Sequence, residues 1–166
     1  ALVTAASFGT QVVSAGPLVN DPIVQVSGAS PLEADCVGDQ VGSGVNFPNS
    51  EVEPWIDVNP TDPDNLVGIW QQDRWSNGGA RGLVAGVSQD GGTSWQEVVI
   101  PGITLCSDGI YDRSTDPWVS FGPDGTVHQL ALSFNDVAPP FEARDFDHAM
   151  QIVDRIGGRP RDRAAS

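Results

Sequence analysis

Residues 88–95 read Ser88-Gln89-Asp90-Gly91-Gly92-Thr93-Ser94-Trp95, and this octet decides the fold. Two apolar runs flank it, at residues 83–87 and 98–100. An aspartate can hydrogen-bond the backbone two residues further on, and glycines accept positive φ without a Cβ clash. Asp-Gly between two strand-like segments therefore predicts a β-hairpin. The returning strand begins with Trp95, which is large enough to pack the hairpin onto a neighbour.

Length and composition indicate a single all-β domain. The chain has 166 residues with 19 glycines and 13 prolines, and only 18% of its residues are charged. Such a composition suits many short strands joined by turns. The net charge of −14 argues against nucleic acid and anionic membranes as partners. No apolar run approaches the ~18 residues of a membrane span, so no membrane insertion is expected.

Cys36 and Cys106 are the two cysteines, and 70 residues separate them. This spacing matches no local metal motif. Two alternatives remain, either a pair of buried thiols or one disulfide in an exported protein. We favour the disulfide, which would stabilise the fold by about 4 kcal/mol in the chain-entropy model. The expected location is extracellular or periplasmic.

Four strands are predicted around the octet, as an antiparallel meander of the size of one propeller blade. Their expected ranges are 54–58, 66–70, 83–87 and 95–100. Because successive connections of a meander alternate between its ends, we expect tight turns on one face and longer connections on the other. The tight turns are 59–65, 88–94 and 122–126, and the longer connections are 71–81 and 101–116.

The sequence around the first strand occurs twice. Glu53-Pro54-Trp55-Ile56-Asp57-Val58-Asn59-Pro60 recurs as Asp116-Pro117-Trp118-Val119-Ser120-Phe121-Gly122-Pro123, at an offset of 63 residues. An internal repeat of this kind is typical of stacked or radial units. We therefore predict a partial β-propeller of about one and a half to two four-stranded antiparallel blades.

The two ends of the chain differ from the repeated region. Residues 1–50 are predicted to be an N-terminal extension and loop, with a strand-like alternation at 23–27 and a loop composition at 35–50. The incomplete propeller is assigned to residues 51–140, and an atypical tail to residues 141–166.

The tail has helix-like spacing over residues 141–156, followed by Gly157-Gly158, so we expect a helical or disordered segment. A propeller needs at least about four blades. The chain is therefore expected to be an N-terminal piece of a propeller, or a chain whose last stretch does not belong to the fold.

The longer connections carry the side chains that are best suited to binding or catalysis. The three arginines before residue 140 fall in or next to them, together with aspartates and aromatic side chains. Arginine binds carboxylates in a bidentate way, carboxyl groups transfer the proton of glycosidic cleavage, and aromatic rings stack on sugars. The candidate catalytic residues are Asp73 and Asp116, and the candidate substrate-binding residues are Arg74, Trp75, Arg81, Tyr111 and Arg113.

These residues also have a structural alternative. Asp73 with Arg74, and Asp112 with Arg113, can form local ion pairs that pin loops. The tryptophans of the predicted strands are expected in the core, which leaves Trp75 as the candidate for stacking on a ligand. They are Trp55, Trp70 and Trp118.

The octet resembles the Asp-box of sialidase-type β-propellers, Ser-any-Asp-any-Gly-any-Thr-Trp. The matching residues are Ser88, Asp90, Gly92 and Trp95, with Ser94 in place of the threonine. Asp-Arg-Trp at 73–75 and the second copy of the repeat extend the similarity over residues 51–134. The chain thus resembles bacterial exo-α-sialidase-like proteins with BNR (Asp-box) repeats. The resemblance implies a six-bladed propeller that hydrolyses terminal sialic acids.

In that family three arginines hold the substrate carboxylate, an aspartate is the acid/base, and a tyrosine with a glutamate forms the nucleophile. The resemblance places Asp73 nearest to the acid/base position. Val52-Glu53-Pro54 stands where the family has Arg-Ile-Pro, and Tyr111 comes earlier than the family tyrosine. We therefore expect no turnover by this chain alone.

The sequence supports three functional hypotheses. The first is a fragment of a secreted sialidase-like glycoside hydrolase acting on terminal sialic acid or a related sugar. The second is a non-catalytic propeller module that binds glycan or protein, and the third is a truncated chain without a settled function. No cofactor is expected, because the acidic turn Asp62-Pro63-Asp64 offers oxygen ligands for Ca²⁺ without the spacing of a calcium loop. Nothing in the sequence indicates the oligomeric state.

Overall fold

The computed structural model describes residues 22–40, 43–136 and 149–154. These residues form seven β-strands and two short 3-10 helices. The strands are β1 (Asn46–Val58), β2 (Leu66–Trp75), β3 (Ala80–Ser88), β4 (Gln96–Val99), β5 (Arg113–Phe121), β6 (Val127–Phe134) and β7 (Ala149–Asp154), and the helices are Val37–Gln40 and Leu105–Ser107. The predicted all-β class is confirmed. In this part of the chain, no helix is long and apolar enough to span a membrane.

The seven strands form one antiparallel sheet made of two units. In the first unit β1, β2, β3 and β4 follow one another as a meander, as predicted. In the second unit β5, β6 and β7 follow one another in the same way. One residue pair, Ala80 of β3 with Ser114 of β5, joins the units in the sheet. Among the described residues the sheet does not close on itself.

The side chain of Asp90 holds the hairpin between β3 and β4. Its Oδ1 accepts hydrogen bonds from Ser88 Oγ and Ser94 N, both at 2.9 Å, and its Oδ2 accepts one from Ser94 Oγ at 2.6 Å. Trp95 Nε1 donates to Gly92 O at 3.0 Å. Gly92 has a φ of 88°, which L side chains rarely adopt. The hairpin predicted from the octet is therefore confirmed.

The core lies around the two central strands. β2 and β3 are buried along nearly their whole length, as strands of a sheet covered on both faces are. Trp70 is buried as predicted, whereas Trp55 and Trp118 are 41% and 48% exposed, so the core prediction for these two is wrong. The fully buried apolar side chains include Ile69, Leu83, Ile100, Ile103 and Val119.

The sequence repeat corresponds to a repeated structural feature. The register of β1 with β2 shifts just before Trp55, and the register of β5 with β6 shifts just before Trp118. The acid inside each irregularity has positive φ, 56° at Glu53 and 50° at Asp116. A proline follows each acid, and because it has no N–H it interrupts the hydrogen-bond ladder. The two tryptophan rings stack on each other, with centroids 3.8 Å apart.

The three tight turns lie together at the same end of the strands, as predicted. In the β3–β4 turn, Gly91 N donates a hydrogen bond to Asp64 O of the β1–β2 turn at 2.9 Å. In the β5–β6 turn, a Cβ placed on Gly125 would lie 3.1 Å from Asn59 Oδ1 of the β1–β2 turn. The turns therefore pack against one another at one end of the two units.

Several predicted boundaries are wrong because the strands are longer than their apolar segments. β2 continues to Trp75 and β3 begins at Ala80, so the predicted long connection 71–81 is a turn of residues 76–79. β1 begins inside the predicted loop 35–50, whereas residues 23–27 form no strand. The hydrophobic pattern misses the strand ends because they are polar, although they pair in the sheet.

The tail contains a strand where the spacing predicted a helix. β7 pairs with β6 from Ser133 opposite Ala149 to His128 opposite Asp154. The edge of β6 supplies backbone partners, and β-branched residues such as Ile152 favour a strand, so pairing overrides the helical spacing. The rest of the predicted helical tail and most of the predicted N-terminal extension lie outside the described residues. They are residues 141–148, 155–166 and 1–21.

Hydrogen bonds from Ser94 and Ser88 hold the pKa of Asp90 below its ordinary value of 3.8. A carboxyl with a lowered pKa stabilises the folded state above the unfolded pKa, and this contribution is lost as the pH falls through the folded pKa. We expect Asp90→Asn to lower the urea midpoint at pH 7, and the difference from the unmodified chain to shrink below about pH 3.8. Glu33→Gln, at an exposed position, is the control. Equal midpoints for Asp90→Asn and the unmodified chain at pH 7 would contradict this role.

Candidate functional site

A buried ion network joins the neighbouring strands β2 and β3 to the segment that carries Asp39. Arg81 on β3 donates Nε to Asp39 Oδ1 at 2.9 Å and Nη2 to Asp39 Oδ2 at 2.7 Å. Its Nη1 donates to Asp73 Oδ2 on β2 at 3.1 Å. Arg81 is 7% exposed and Asp73 is 0% exposed. The guanidinium that was predicted to bind substrate therefore binds two carboxylates of the protein itself.

Asp73 lies near the end of β2 with a φ of 62°. Its Oδ2 accepts a hydrogen bond from Ser30 Oγ at 2.7 Å, and its Oδ1 accepts one from Asn49 N at 2.8 Å. A general acid must reach the oxygen that it protonates, whereas this carboxylate is enclosed. The geometry favours the loop-pinning alternative over a catalytic role for Asp73, with Arg81 rather than Arg74 as its ion-pair partner.

A disulfide closes the same region. Cys36 and Cys106 are bonded, with Cα atoms 5.4 Å apart, and this fastens the segment that carries Asp39 to the β4–β5 connection. Thr104 Oγ1 in that connection donates to Arg81 O at 2.6 Å. The ligand atoms of Cys36, Asp39 and Cys106 lie close enough to hold a metal ion. Because the sulfurs form the disulfide and Asp39 binds Arg81, this cluster is better explained as a structural staple.

Arg113 is a second buried and fully engaged cation. Its guanidinium lies over the Trp75 ring, 4.5 Å from the centroid. It pairs with Asp136 Oδ2 at 2.6 Å and donates to Asn77 Oδ1 at 2.6 Å. Burial lowers the pKa of Arg113, and the charges of Asp136 and Asp112 oppose this shift. Trp75 is itself buried, and Arg113 occupies the ring face that was predicted to stack on a ligand.

The residues just before β5 contact the segment after β6 and other residues of the β4–β5 connection. Asp112 Oδ2 accepts a hydrogen bond from Asp136 N at 2.9 Å. Burial raises the pKa of Asp112, and the hydrogen bond from Asp136 opposes the shift. Tyr111 is half-exposed, and its carbonyl accepts a hydrogen bond from Leu105 N at 2.8 Å. Asp112 and Arg113 thus both bind Asp136, and the ion pair of Arg113 is with Asp136 rather than with the neighbouring Asp112.

Polar side chains gather where the two irregular strand segments meet. We call this set the bulge cluster, and its members are Glu53, Gln71, Arg74, Thr115 and Asp116. The buried Gln71 donates Nε2 to Glu53 Oε2 and, at 3.0 Å, to Thr115 Oγ1. Its Oε1 accepts a hydrogen bond from Arg74 Nη1 at 2.8 Å. Asp116 N donates to Glu53 Oε2 at 3.3 Å, and both acids are exposed.

The bulge cluster places donors and acceptors beside an aromatic pair. Trp55 and Trp118 follow the two acids by two residues each, and their stacked rings are partly exposed. Carboxylates accept hydrogen bonds from hydroxyl groups, and Arg74 can donate them. Both acids also hold positive φ, a strained conformation that is enriched at functional sites. The cluster with its tryptophan pair is therefore the candidate functional site.

Two of the predicted site residues, Arg74 and Asp116, lie in the bulge cluster. The sequence did not indicate the other three members as site residues, nor the exposure of the tryptophan pair. The repeat was the available signal, because its acid and its tryptophan recur together at the same spacing. Gln71 was hidden because the apolar pattern of β2 ends at Trp70.

Comparison of the chain with protein-family models found no match. Comparisons with curated proteins and with solved structures found no match either. A functional assignment therefore depends on the geometry of the described residues.

Replacing Arg81 tests the structural role of the buried network. Arg81→Met leaves Asp39 and Asp73 without their partner, and breaking a buried ion pair costs about 3–5 kcal/mol. Arg74→Met removes the same charge from a half-buried side chain that bonds Gln71, and its expected cost is below about 1 kcal/mol. Urea denaturation at pH 7 measures the free energy of unfolding of both variants. Similar losses in the two variants would contradict the assignment.

Proposed function

We propose that this chain is part of a secreted β-propeller of the sialidase-like, Asp-box type, and that its described part binds carbohydrate without hydrolysing it. The proposal rests on one observation. Two exposed tryptophans, one from each repeat, stack on each other beside the bulge cluster. The disulfide between Cys36 and Cys106 supports an extracellular or periplasmic location, because structural disulfides persist in oxidising compartments.

The contacts between the two first strands support a propeller arrangement. Asp116 N donates to Glu53 Oε2, and further along Phe121 N donates to Asp57 Oδ2 at 2.8 Å. From the first bond to the second, residue numbers rise on both β1 and β5, so the two strands lie next to each other and run in the same direction. Both bonds join a backbone N–H of the second unit to a side chain of the first, as in a heterologous contact. Rotation about an axis along the strands relates units in this way, and successive propeller blades are arranged so.

The charges of the site favour a neutral sugar over sialic acid. A sialic acid carboxylate needs free cations, but Arg81 and Arg113 are already paired with acids of the protein. Arg74 is half-exposed, and the two accessible acids of the bulge cluster would repel an anion. Hydroxyl groups of a neutral sugar suit these acids as donors, and the C–H face of a sugar ring suits the indole rings.

Glycoside hydrolysis is the second candidate, and one observation favours it. Hydrolysis of a glycosidic bond uses two carboxyl groups that flank the bond. Glu53 and Asp116 are both exposed and lie close enough for Asp116 N to bond Glu53 Oε2. This candidate differs from binding alone in predicting product release that Asp116→Asn abolishes.

Glycan-array screening followed by calorimetry tests the binding proposal. We expect at least one neutral glycan to bind, and Trp118→Ala to weaken it about tenfold, which corresponds to the loss of an aromatic contact of about 1.4 kcal/mol. Phe47→Ala is a matched control, since Phe47 is 49% exposed against 48% for Trp118 and lies at the start of β1. We expect this control to leave binding unchanged.

Two results would contradict the proposal. One is the absence of any bound glycan while the chain is folded, as judged by a cooperative urea transition. The other is an equal loss of binding in Trp118→Ala and Phe47→Ala. Release of free sugar from the bound glycan would instead favour the hydrolase candidate.

A further inference from the structure

A second site lies on the first unit, in a pocket of about 440 Å³. We call it the tryptophan pocket, because Trp55, Trp70 and Trp95 line it, together with one acid, Glu51. This volume is within the range of small-molecule sites. The pocket shares Trp55 with the proposed sugar site, but its other lining residues lie outside the bulge cluster.

The rings of the tryptophan pocket present mainly hydrocarbon and π surface. Trp70 Nε1 donates to Gln72 Oε1 at 2.9 Å, and Trp95 Nε1 donates to a carbonyl of its own turn at 3.0 Å. The polar atoms of these two indoles are therefore satisfied within the protein. Gly68 also lines the pocket, and a Cβ on it would have Trp55 O as its neighbour, at 3.7 Å. The missing side chain at Gly68 thus leaves space at this part of the pocket wall.

Glu51 supplies a negative charge at the wall of the pocket. Its Oε2 accepts a hydrogen bond from Ser27 Oγ at 2.5 Å. A carboxylate can accept about four hydrogen bonds, so this bond leaves Glu51 able to face a ligand. Gly28, which follows Ser27, donates its backbone N–H to Glu97 Oε1 at 3.0 Å. The chain as a whole carries a net charge of −14, which raises the local concentration of cations.

We propose that the tryptophan pocket binds the quaternary ammonium group of a small molecule of the choline class. A cation is attracted to the faces of indole rings, and tryptophan is the strongest partner in such contacts. A quaternary ammonium group has no N–H donor, so it loses no hydrogen bond when apolar walls surround it. Glu51 provides the countercharge, and the same charge opposes a carboxylate or phosphate ligand.

Quenching of tryptophan fluorescence tests this proposal on the full chain at about 0.15 M salt, where long-range attraction is screened. The probes are choline and its uncharged carbon isostere, in which a tert-butyl group replaces the trimethylammonium group. We expect saturable binding of choline and about tenfold weaker binding of the isostere. We expect Trp55→Leu to weaken choline binding about fivefold to thirtyfold, and Glu51→Gln to weaken it about threefold to tenfold.

Phe47→Leu is the control variant, because Phe47 is an exposed aromatic residue of the same strand outside the pocket lining. We expect it to leave choline binding unchanged. The proposal is overturned if the isostere binds as tightly as choline, if choline does not saturate the folded chain, or if Phe47→Leu loses as much affinity as Trp55→Leu. If Trp55→Leu does not fold, the two probes and Glu51→Gln still decide the question. Because the sugar test uses Trp118→Ala, either proposal can fail while the other stands.

Discussion

The stacking of Trp55 on Trp118 joins the first strands of the two repeated units, which share a single residue pair of the described sheet. Each ring follows an acid and a proline, and the proline interrupts the hydrogen-bond ladder where the strand becomes irregular. The carboxylate of Glu53 reaches across to the backbone N–H of Asp116 beside the stack. One short sequence, used twice, thus produces both the irregular strand segment and the side chains that fasten it to its copy.

The described arginines show how so acidic a chain is held together. Arg81 joins two acids from different segments, and Arg113 lies between Trp75 and Asp136, so both cations are used inside the scaffold. A buried carboxylate without a cation would destabilise the fold, so the arginines that pair with these acids are enclosed together with them. Arg74 is the described arginine with substantial exposure. This use of cations favours neutral or cationic ligands over anionic sugars.

The turn chemistry and the repeat predicted the hairpin, the meander and the face shared by the tight turns, because glycine and aspartate act locally. The site was harder to predict. Asp73 and Arg81 carry the right chemistry for catalysis, but long-range partners such as Asp39 enclose them, and sequence spacing contains no signal for that pairing. Similarly, Trp55 was placed in the core because strand position alone does not reveal that its ring stacks on Trp118 and stays 41% exposed.

A double-mutant cycle between Trp55→Ala and Trp118→Ala, measured by urea denaturation, tests most directly whether the two units are joined through their equivalent tryptophans. Stacked aromatic pairs contribute about 0.5–1.5 kcal/mol beyond the burial of their area. We therefore predict that the free energies of unfolding of the variants show a coupling of that size. Additivity within about 0.3 kcal/mol would mean that the rings do not interact, and would contradict the account.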